Sequence, residues 1–346
     1  MRERLTSRRD FLIASTAGGL GAFALRAPVE AAGRTKTPVA LTAGGNRAEN
    51  IYRALKLVEE DIRRGLSRAA RIVIKPNFVT TRRQLAATHV DCVEGILQFF
   101  APLAKNRDLI IAESPAGAPA AEGYRNYGYY RLKKQYPVKF LDLDDTPAEK
   151  VFVIDHRFRP HAVRFSALLC APDTYVVSAA VMKTHDRAVV TLALKNIAVG
   201  GALKQKGFTW GPRRGLTTDK PLVHGGRGNA GIHYNLFRLA RFAPPHLAVI
   251  DGFRGMQGNG PTSGDPVEHR VAVASCDWVA AERVALELMG VDFSYVGYLM
   301  FAARNGLGVG DLGAIEVRGE RIQDHVKKYR LHENIRSQLK WREREA

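Results

Sequence analysis

Short apolar segments alternate with helical segments along most of the chain, and this alternation constrains the fold more than any other feature. The predicted strands, each rich in Val, Ile or Leu, are 71–75, 108–112, 138–141, 174–181, 246–250 and 271–275. The helices predicted between them include 46–66, 89–104, 120–135, 233–243 and 277–289. A β-ribbon is predicted for 150–165. Strands separated by helices indicate an α/β fold, in which a mostly parallel sheet carries helices on both faces (three-layer α/β/α).

One strand-to-helix junction concentrates polar and charged side chains. The apolar run 174–181 leads to Lys183 and His185. The stretch that follows is predicted to be mostly helical, which would place Thr191 and Lys195 on one helix face. Open α/β sheets bind ligands at the carboxyl ends of their strands. The junction is therefore a predicted functional site; the alternative is that these are solvated loop and helix-surface residues.

Candidate residues at other strand ends and at one helix start extend this site. The predicted catalytic residues are Lys183, Lys195 and, as general acid or base, His185. The predicted substrate-binding residues are Lys75, Asn77, Thr191, Asn196 and His233. The predicted metal ligands are Asp251, Asp277 and Glu282, since carboxylates bind hard cations such as Mg²⁺ or Mn²⁺, whereas added histidines favour Fe²⁺ or Zn²⁺. The alternatives are a helix N-cap for Asp277 and a turn residue for Asp251.

The charge of the chain favours an anionic partner. Its formal net charge is +18, from 52 Lys and Arg against 34 Asp and Glu. A basic surface attracts phosphate- or carboxylate-bearing molecules, head groups and polymers without choosing among them, and it can also serve only to solvate the protein. The predicted partner is an anionic small molecule or polymer; no nucleic acid is expected. Cys92, Cys170 and Cys276 are too widely spaced to predict an iron–sulfur cluster, so none is expected.

Two segments differ from the alternating pattern. Residues 204–233 lack clear periodicity and are rich in Gly, Lys and Arg, which predicts a lid loop over an anionic ligand or an insertion without a role. Residues 321–346 are predicted to form a charged surface helix at the C-terminus. The α/β domain between signal and tail is predicted to span 34–320.

The N-terminus matches an export signal. Residues 7–12, Ser-Arg-Arg-Asp-Phe-Leu, have the twin-arginine pattern, and a Gly- and Ala-rich apolar stretch follows. Cleavage after Ala31 is predicted from the small residues preceding it, giving a signal peptide over 1–31. The implied partner is the twin-arginine translocase, and the implied location is the periplasm or the exterior, reached as a folded protein. The mature chain is predicted to have no transmembrane segment.

An ordered set of short motifs resembles one protein family. The motifs are Ile-Lys-Pro-Asn at 74–77, Ala-Glu-Ser at 112–114, Lys-Thr-His at 183–185, Thr-Leu-Ala-Leu-Lys-Asn at 191–196, Asp-Gly at 251–252, Met-Gln-Gly-Asn-Gly-Pro at 256–261 and Ala-Ser-Cys-Asp-Trp-Val-Ala-Ala at 274–281. The set resembles the domain of unknown function 362 (DUF 362) family over roughly residues 70–315. The resemblance implies an α/β domain but no specific reaction. The chain is expected to be a member without the ferredoxin-like domain of many relatives, and it has Glu282 where the family pattern has aspartate.

Three classes of function follow from these features. The first is an exported, metal-assisted enzyme that acts on a small or polymer-borne anionic substrate with a divalent cation. The second is a non-catalytic periplasmic anion-binding protein that uses the same lysines. The third is a basic protein held at a membrane or cell wall by charge. Acids and bases at neighbouring strand ends favour the first class.

Overall fold

A computed structural model describes residues 36–104, 106–209, 215–226 and 229–344. The predicted signal peptide and its cleavage site lie outside these residues. The strands are β1 Thr37–Ala43, β2 Arg71–Lys75, β3 Asp108–Glu113, β4 Val138–Asp142, β5 Ala148–Ile154, β6 Pro160–Ser166, β7 Thr174–His185, β8 Val189–Thr191, β9 Leu247–Gln257, β10 Asp265–Ser275 and β11 Ile315–Gly319. The α-helices are α1 Arg47–Leu57, α2 Glu59–Gly65, α3 Val90–Phe100, α4 Ala120–Asn126, α5 Ala193–Gly200, α6 Lys220–Val223, α7 Ala230–Ala240, α8 Trp278–Met289, α9 Gly297–Arg304 and α10 Ile335–Gln338.

The central sheet has the strand order β11-β1-β10-β9-β7-β2-β3-β4, and the short β8 pairs with the end of β7. Neighbours are parallel except where β10 pairs with β1 and β9, and where β8 pairs with β7. Alternate side chains of each strand enter separate cores on the two faces: Ile72 and Ile74 pack on one side and Val73 on the other. The predicted α/β fold with a mostly parallel sheet and helices on both faces is confirmed.

The strand that carries Lys183 and His185 ends in a hairpin rather than entering a helix. All twelve residues of β7 are buried, and β8 folds back on its last three, so that Lys183 lies opposite Thr191. Helix α5 begins only at Ala193. The predicted helix over Asp186–Asn196 is therefore wrong in its first half. The β-branched residues of β8 satisfy their backbone groups by pairing with β7, and this long-range pairing overrides local helix preference.

Strand β9 is also longer than predicted. It continues through Asp251 to Gln257 because β10 pairs with it antiparallel over this whole length, with one irregularity. Asp251 lies opposite Ala272 of β10 and Val181 of β7, inside the sheet. The prediction that Asp251 stands at a strand end is therefore wrong. The predicted ribbon at 150–165 is present as the antiparallel pair β5–β6.

The last 26 residues do not form the predicted single surface helix. Within the described residues, a 3₁₀ turn at Ile322–His325 is followed by extended chain, the one-turn α10 and a second 3₁₀ segment, Leu339–Arg344. Tyr329, Gln338 and Trp341 are buried in the domain. Burial of these three side chains stabilises the irregular path of the chain, in place of the hydrogen bonds within a regular helix. No helix in the described parts of the chain is long and apolar enough to cross a membrane.

Candidate functional site

A small cavity lies at the carboxyl ends of the neighbouring strands β7, β2 and β3. Its volume is about 60 Å³. Its polar and charged lining residues are Asn77, Glu113, Ser114, Lys183, His185, Thr191, Lys195 and Lys220. Five of the predicted catalytic and substrate-binding residues are thus brought together: Asn77, Lys183, His185, Thr191 and Lys195. Thr191 reaches the cavity from β8 and Lys195 from the first turn of α5, so they share the site without sharing a helix.

Lys75 lies directly behind the cavity wall and is completely buried. Its Nζ is 3.1 Å from Glu113 Oε2 and donates to Asn196 Oδ1 and to the Pro76 carbonyl, each at 3.0 Å. Burial lowers the pKa of Lys75, and the Glu113 carboxylate opposes this change. Because these groups already satisfy its ammonium, Lys75 supports the wall rather than presenting its charge to the cavity.

Asn196 joins the strand ends from behind the same wall. Its Nδ2 donates to the Lys75 carbonyl at 3.0 Å and to Ser178 Oγ at 3.1 Å. Its Oδ1 also accepts from Asn77 Nδ2 at 3.2 Å. With both ends of its amide occupied, Asn196 positions Lys75 and Asn77 rather than facing a ligand.

Lys183 projects into the cavity from β7. It is fully buried, and its Nζ donates to the carbonyl of Ala86 at 2.7 Å. Burial lowers its pKa well below the ordinary value, and the neighbouring Lys195 lowers it further. The Glu113 carboxylate on the same cavity favours the charged form of Lys183, but no carboxylate among the described residues forms an ion pair with its ammonium, and a bound anion would supply that partner.

Lys195 and two nearby oxygen atoms lack protein partners. Among the described residues, Lys195 makes no hydrogen bond or ion pair, although it is only 6 % exposed. Burial lowers its pKa to about 8, although the negative charge of Asp186 acts to raise that pKa. Thr191 Oγ1 and Asn77 Oδ1 are buried without a hydrogen-bond partner. Buried polar atoms are rarely left unpaired, so these two oxygen atoms, beside an amine that has no protein partner in the described residues, indicate a binding site.

His185 lines the cavity as a neutral ring. Its Nδ1 accepts from the Arg187 backbone N–H at 2.9 Å, which leaves the ring proton on Nε2. Asp186 Oδ1 lies 3.0 Å from the same Nδ1 and would accept its proton in the charged form. Burial, helped by Lys195, lowers the pKa of His185 well below its ordinary value. His185 therefore suits a hydrogen-bond donor or a base better than an acid at neutral pH.

Lys220 is a cavity residue that the sequence analysis did not select. It belongs to α6, within the predicted lid segment, and its Nζ donates to the carbonyls of Gly200 at 3.1 Å and Ala202 at 2.6 Å at the end of α5. Burial lowers its pKa to about 7. The predicted lid thus contributes one lysine to the cavity. Residues 210–214 and 227–228 of that segment lie outside the described residues.

A second ion pair at the cavity wall also escaped the sequence analysis. Lys204 pairs with Asp144 and donates to Ser114 Oγ at 3.3 Å. Glu113 and Ser114 belong to the Ala-Glu-Ser motif, which the sequence analysis noted without assigning a role. The position of that motif at the end of β3, next to β2, was the available signal.

The three carboxylates predicted to bind metal have separate partners. Asp251 pairs with Arg47 at 3.2 Å, and Asp277 is the N-cap of α8, accepting from Ala280 N at 3.0 Å. Glu282 accepts from Leu194 N at the start of α5. In the described part of the chain, no group of three or more His, Cys, Asp or Glu side chains is placed to hold a metal ion. The structure does not bring these acids together, and metal binding stays a prediction.

His233 does not reach the cavity. It is fully buried on α7 between the rings of Tyr298 and Trp341. Burial lowers its pKa to about 3, and its Nε2 has no hydrogen-bond partner. The structure thus places this predicted substrate-binding residue in an aromatic part of the core.

The fold and the cavity define an α/β protein with a lysine-lined ligand cavity at the ends of parallel strands. The chain belongs to the family described as Domain of unknown function (DUF362), whose model matches residues 72–287. The family resemblance noted in the sequence is therefore confirmed, and the matched region contains all the lysines around the cavity. The chain is also similar to the thylakoid-associated protein sll1697 of Synechocystis sp., with 22 % identity over 243 residues that cover 68 % of each chain.

Proposed function

We propose that this protein binds a tetrahedral dianion, such as the phosphate group of a phosphate monoester, in the lysine-lined cavity. The observation that supports it most directly is that Lys183, Lys195 and Lys220 line one small cavity and form no carboxylate ion pair among the described residues. Lys75 and Lys204, just behind the wall, do have such partners. Among these five lysines, the three without a carboxylate partner in the described residues are therefore the ones that line the cavity.

The kind of anion follows from charge, size and donor type. Uncompensated buried charges are costly, and two or more of them are better neutralised by a dianion than by a monocarboxylate. A cavity of about 60 Å³ accepts a phosphate-sized group but not a whole metabolite. The described lining residues supply lysines and no arginine, and lysine binds phosphate as a compact point charge. The His185 N–H and the Thr191 hydroxyl are further donors.

The same cavity supports a second function, acid–base chemistry on the bound ligand. This candidate is favoured by Lys195, whose pKa of about 8 lies near neutrality and whose amine has no partner in the described residues. A group with such a pKa can exchange protons at neutral pH. In this proposal Lys195 takes the acid–base role that the sequence analysis gave to His185.

Titration calorimetry with inorganic phosphate and with sulfate tests the binding function. We expect both anions to bind the wild-type protein, and Lys195→Gln to weaken both by at least tenfold. Thr191→Val, which removes only the unpaired hydroxyl, should weaken binding by a smaller factor without loss of thermal stability. Lys139→Gln is the matched control, because Lys139 is an exposed lysine on β4 paired with Asp108. Absence of binding by both anions, or equal losses in Lys139→Gln, would reject the proposal.

We also propose, from the sequence at residues 7–12, that the protein is exported by the twin-arginine route. Such signals are receptor-read addresses. Replacing Arg8 and Arg9 by lysine should leave the precursor in the cytoplasm of its host, as seen by cell fractionation and immunoblotting. Normal export of that variant would refute this location.

A further inference from the structure

The ligand cavity adjoins a much larger surface groove. Val79 and Ala116 line both spaces, and the groove has a volume of about 600 Å³. Small-molecule sites commonly have volumes of about 300–1,000 Å³. A ligand whose anionic group fills the small cavity would therefore extend past Val79 and Ala116 into a space large enough for the rest of the molecule.

The walls of the groove are the loops that follow β2 and β3, and internal contacts hold the first of them. The Tyr127 hydroxyl donates to the Thr80 carbonyl at 2.6 Å and accepts from Arg83 N at 3.1 Å. The Thr81 hydroxyl donates to Glu122 at 2.6 Å. The groove is thus a formed part of the protein next to the cavity.

The described residues that line the groove are largely polar and carry no net charge. Four threonines contribute to it: Thr80, Thr81, Thr209 and Thr262. Among the described lining residues the one cation is Arg82, which lies 3.4 Å from the carboxylate of Glu122, so the two charges compensate each other. None of the described residues that line the groove is aromatic, and its apolar members are small or short. The described lining offers hydroxyl and backbone partners, but no ring for a nucleobase to stack on and no large apolar side chain to cover an acyl chain.

We propose that the groove binds an uncharged, hydroxyl-bearing body attached to the phosphate group, so that the ligand is a sugar or polyol phosphate. This inference rests on the proposed function, since the cavity must hold the phosphate. The groove supplies the selectivity for the attached body, because its threonines and loop backbone can pair with several hydroxyl groups that water would otherwise solvate.

Titration calorimetry with the full chain distinguishes the contribution of the cavity to ligand binding from that of the groove. The probes are inorganic phosphate, glucose 6-phosphate, adenosine monophosphate and hexyl phosphate. We expect glucose 6-phosphate to bind at least tenfold tighter than each of the other three. Ala118→Trp, which fills the groove at a residue that does not line the cavity, should reduce glucose 6-phosphate binding to the level of inorganic phosphate. Thr262→Val is a milder second variant, which should weaken the sugar phosphate only.

The outcomes distinguish failure of this inference from failure of the proposed function. Binding of phosphate without any gain from glucose 6-phosphate would overturn the groove assignment and leave the anion cavity in place. Tighter binding of adenosine monophosphate or hexyl phosphate than of glucose 6-phosphate would also overturn it. Equal effects of Ala118→Trp and Thr262→Val on all four probes would do the same. Absence of binding by every probe would reject the anion cavity itself.

Discussion

Anion binding should draw protons into the protein, and the contribution of Lys195 and Lys220 to this uptake can be calculated. Burial lowers the pKa of Lys195 to about 8 and that of Lys220 to about 7. A bound dianion favours the charged form of both amines and raises both pKa values. Sulfate is the cleanest probe, because it remains a dianion throughout the pH range in which these lysines titrate.

The number of protons follows from these two pKa values. At pH 8, the free protein lacks about 0.5 proton on Lys195 and about 0.9 on Lys220, so these two lysines should take up as much as about 1.4 protons when sulfate binds. At pH 6 both lysines are already charged, and the uptake attributable to them falls to about 0.1 proton. Affinity should decrease from pH 7 to pH 9, by about 500-fold if both amines stay fully charged in the complex.

Calorimetry in buffers of different ionisation enthalpy measures this uptake directly. The slope of the observed binding enthalpy against the buffer ionisation enthalpy gives the protons exchanged. Lys195→Gln should reduce the proton uptake at pH 8 by about 0.5 proton and leave the contribution of Lys220 unchanged. Lys139→Gln should give the same proton uptake as the wild type. Sulfate binding with no proton uptake at pH 8 and no change in affinity with pH would refute the reasoning, because the lysines would then be charged before the anion arrives.

Three further variants test how the surrounding structure supports the site. Gly200→Ala would place a methyl group against the Lys75 ammonium, so we expect a loss of about 1–3 kcal/mol in stability and at least tenfold in sulfate affinity; wild-type behaviour would contradict this packing. Burial raises the pKa of Glu282 to about 7, so the folded state holds its proton more tightly than the unfolded chain from pH 4.5 to pH 7. The free energy of unfolding should therefore fall across that interval, by about 3 kcal/mol more in the wild type than in Glu282→Gln, and parallel pH profiles in urea melts would disprove it. Gln338→Ala would remove the side chain that bonds two backbone groups of the β7–β8 hairpin, at 2.8 Å each, and should lower stability by about 2–4 kcal/mol and weaken sulfate binding, whereas an unchanged melting temperature would show that the hairpin does not depend on it.

The sequence predicted the fold well because the signal is local. Short continuous apolar runs for the strands and apolar residues at spacings of three and four for the helices are sufficient to place most elements and to infer a parallel sheet. From that inference, the convergence of Lys75, Asn77, Lys183 and His185 at neighbouring strand ends also follows. The residues whose positions were predicted wrongly are positioned by long-range strand pairing. Thr191 lies on a strand because β7 continues far enough to pair with β8, and Asp251 lies inside the sheet because β10 is equally long.

The predicted metal ligands show a different limit of sequence reasoning. A carboxylate that caps a helix and one that binds a metal have the same local pattern, and only the donors around them distinguish the two. Asp277 accepts from Ala280 N at 3.0 Å and from Val309 N at 2.8 Å, the latter 32 residues further along the chain. Glu282 accepts a backbone N–H from α5 and the hydroxyl of Tyr298. These partners come from distant segments and were not available from the spacing of the acids.

The division of the lysines into paired and unpaired groups explains how the fold tolerates so much buried positive charge. Lys75 and Lys204 stand behind the wall with carboxylate partners, and they connect the ends of β2 and β3 to α5 and the loop beyond it. Lys195 has no such partner among the residues that the structure describes, and a pKa of about 8 in place of 10.5 means that its charged form costs the folded protein about 3 kcal/mol at neutral pH. That cost decreases as the pH rises from about 8 towards 10.5, since the unfolded chain then holds the proton more tightly than the folded one. A bound dianion removes the same cost at neutral pH by stabilising the ammonium directly. The unpaired lysines therefore lower the stability of the empty protein, and ligand binding recovers it.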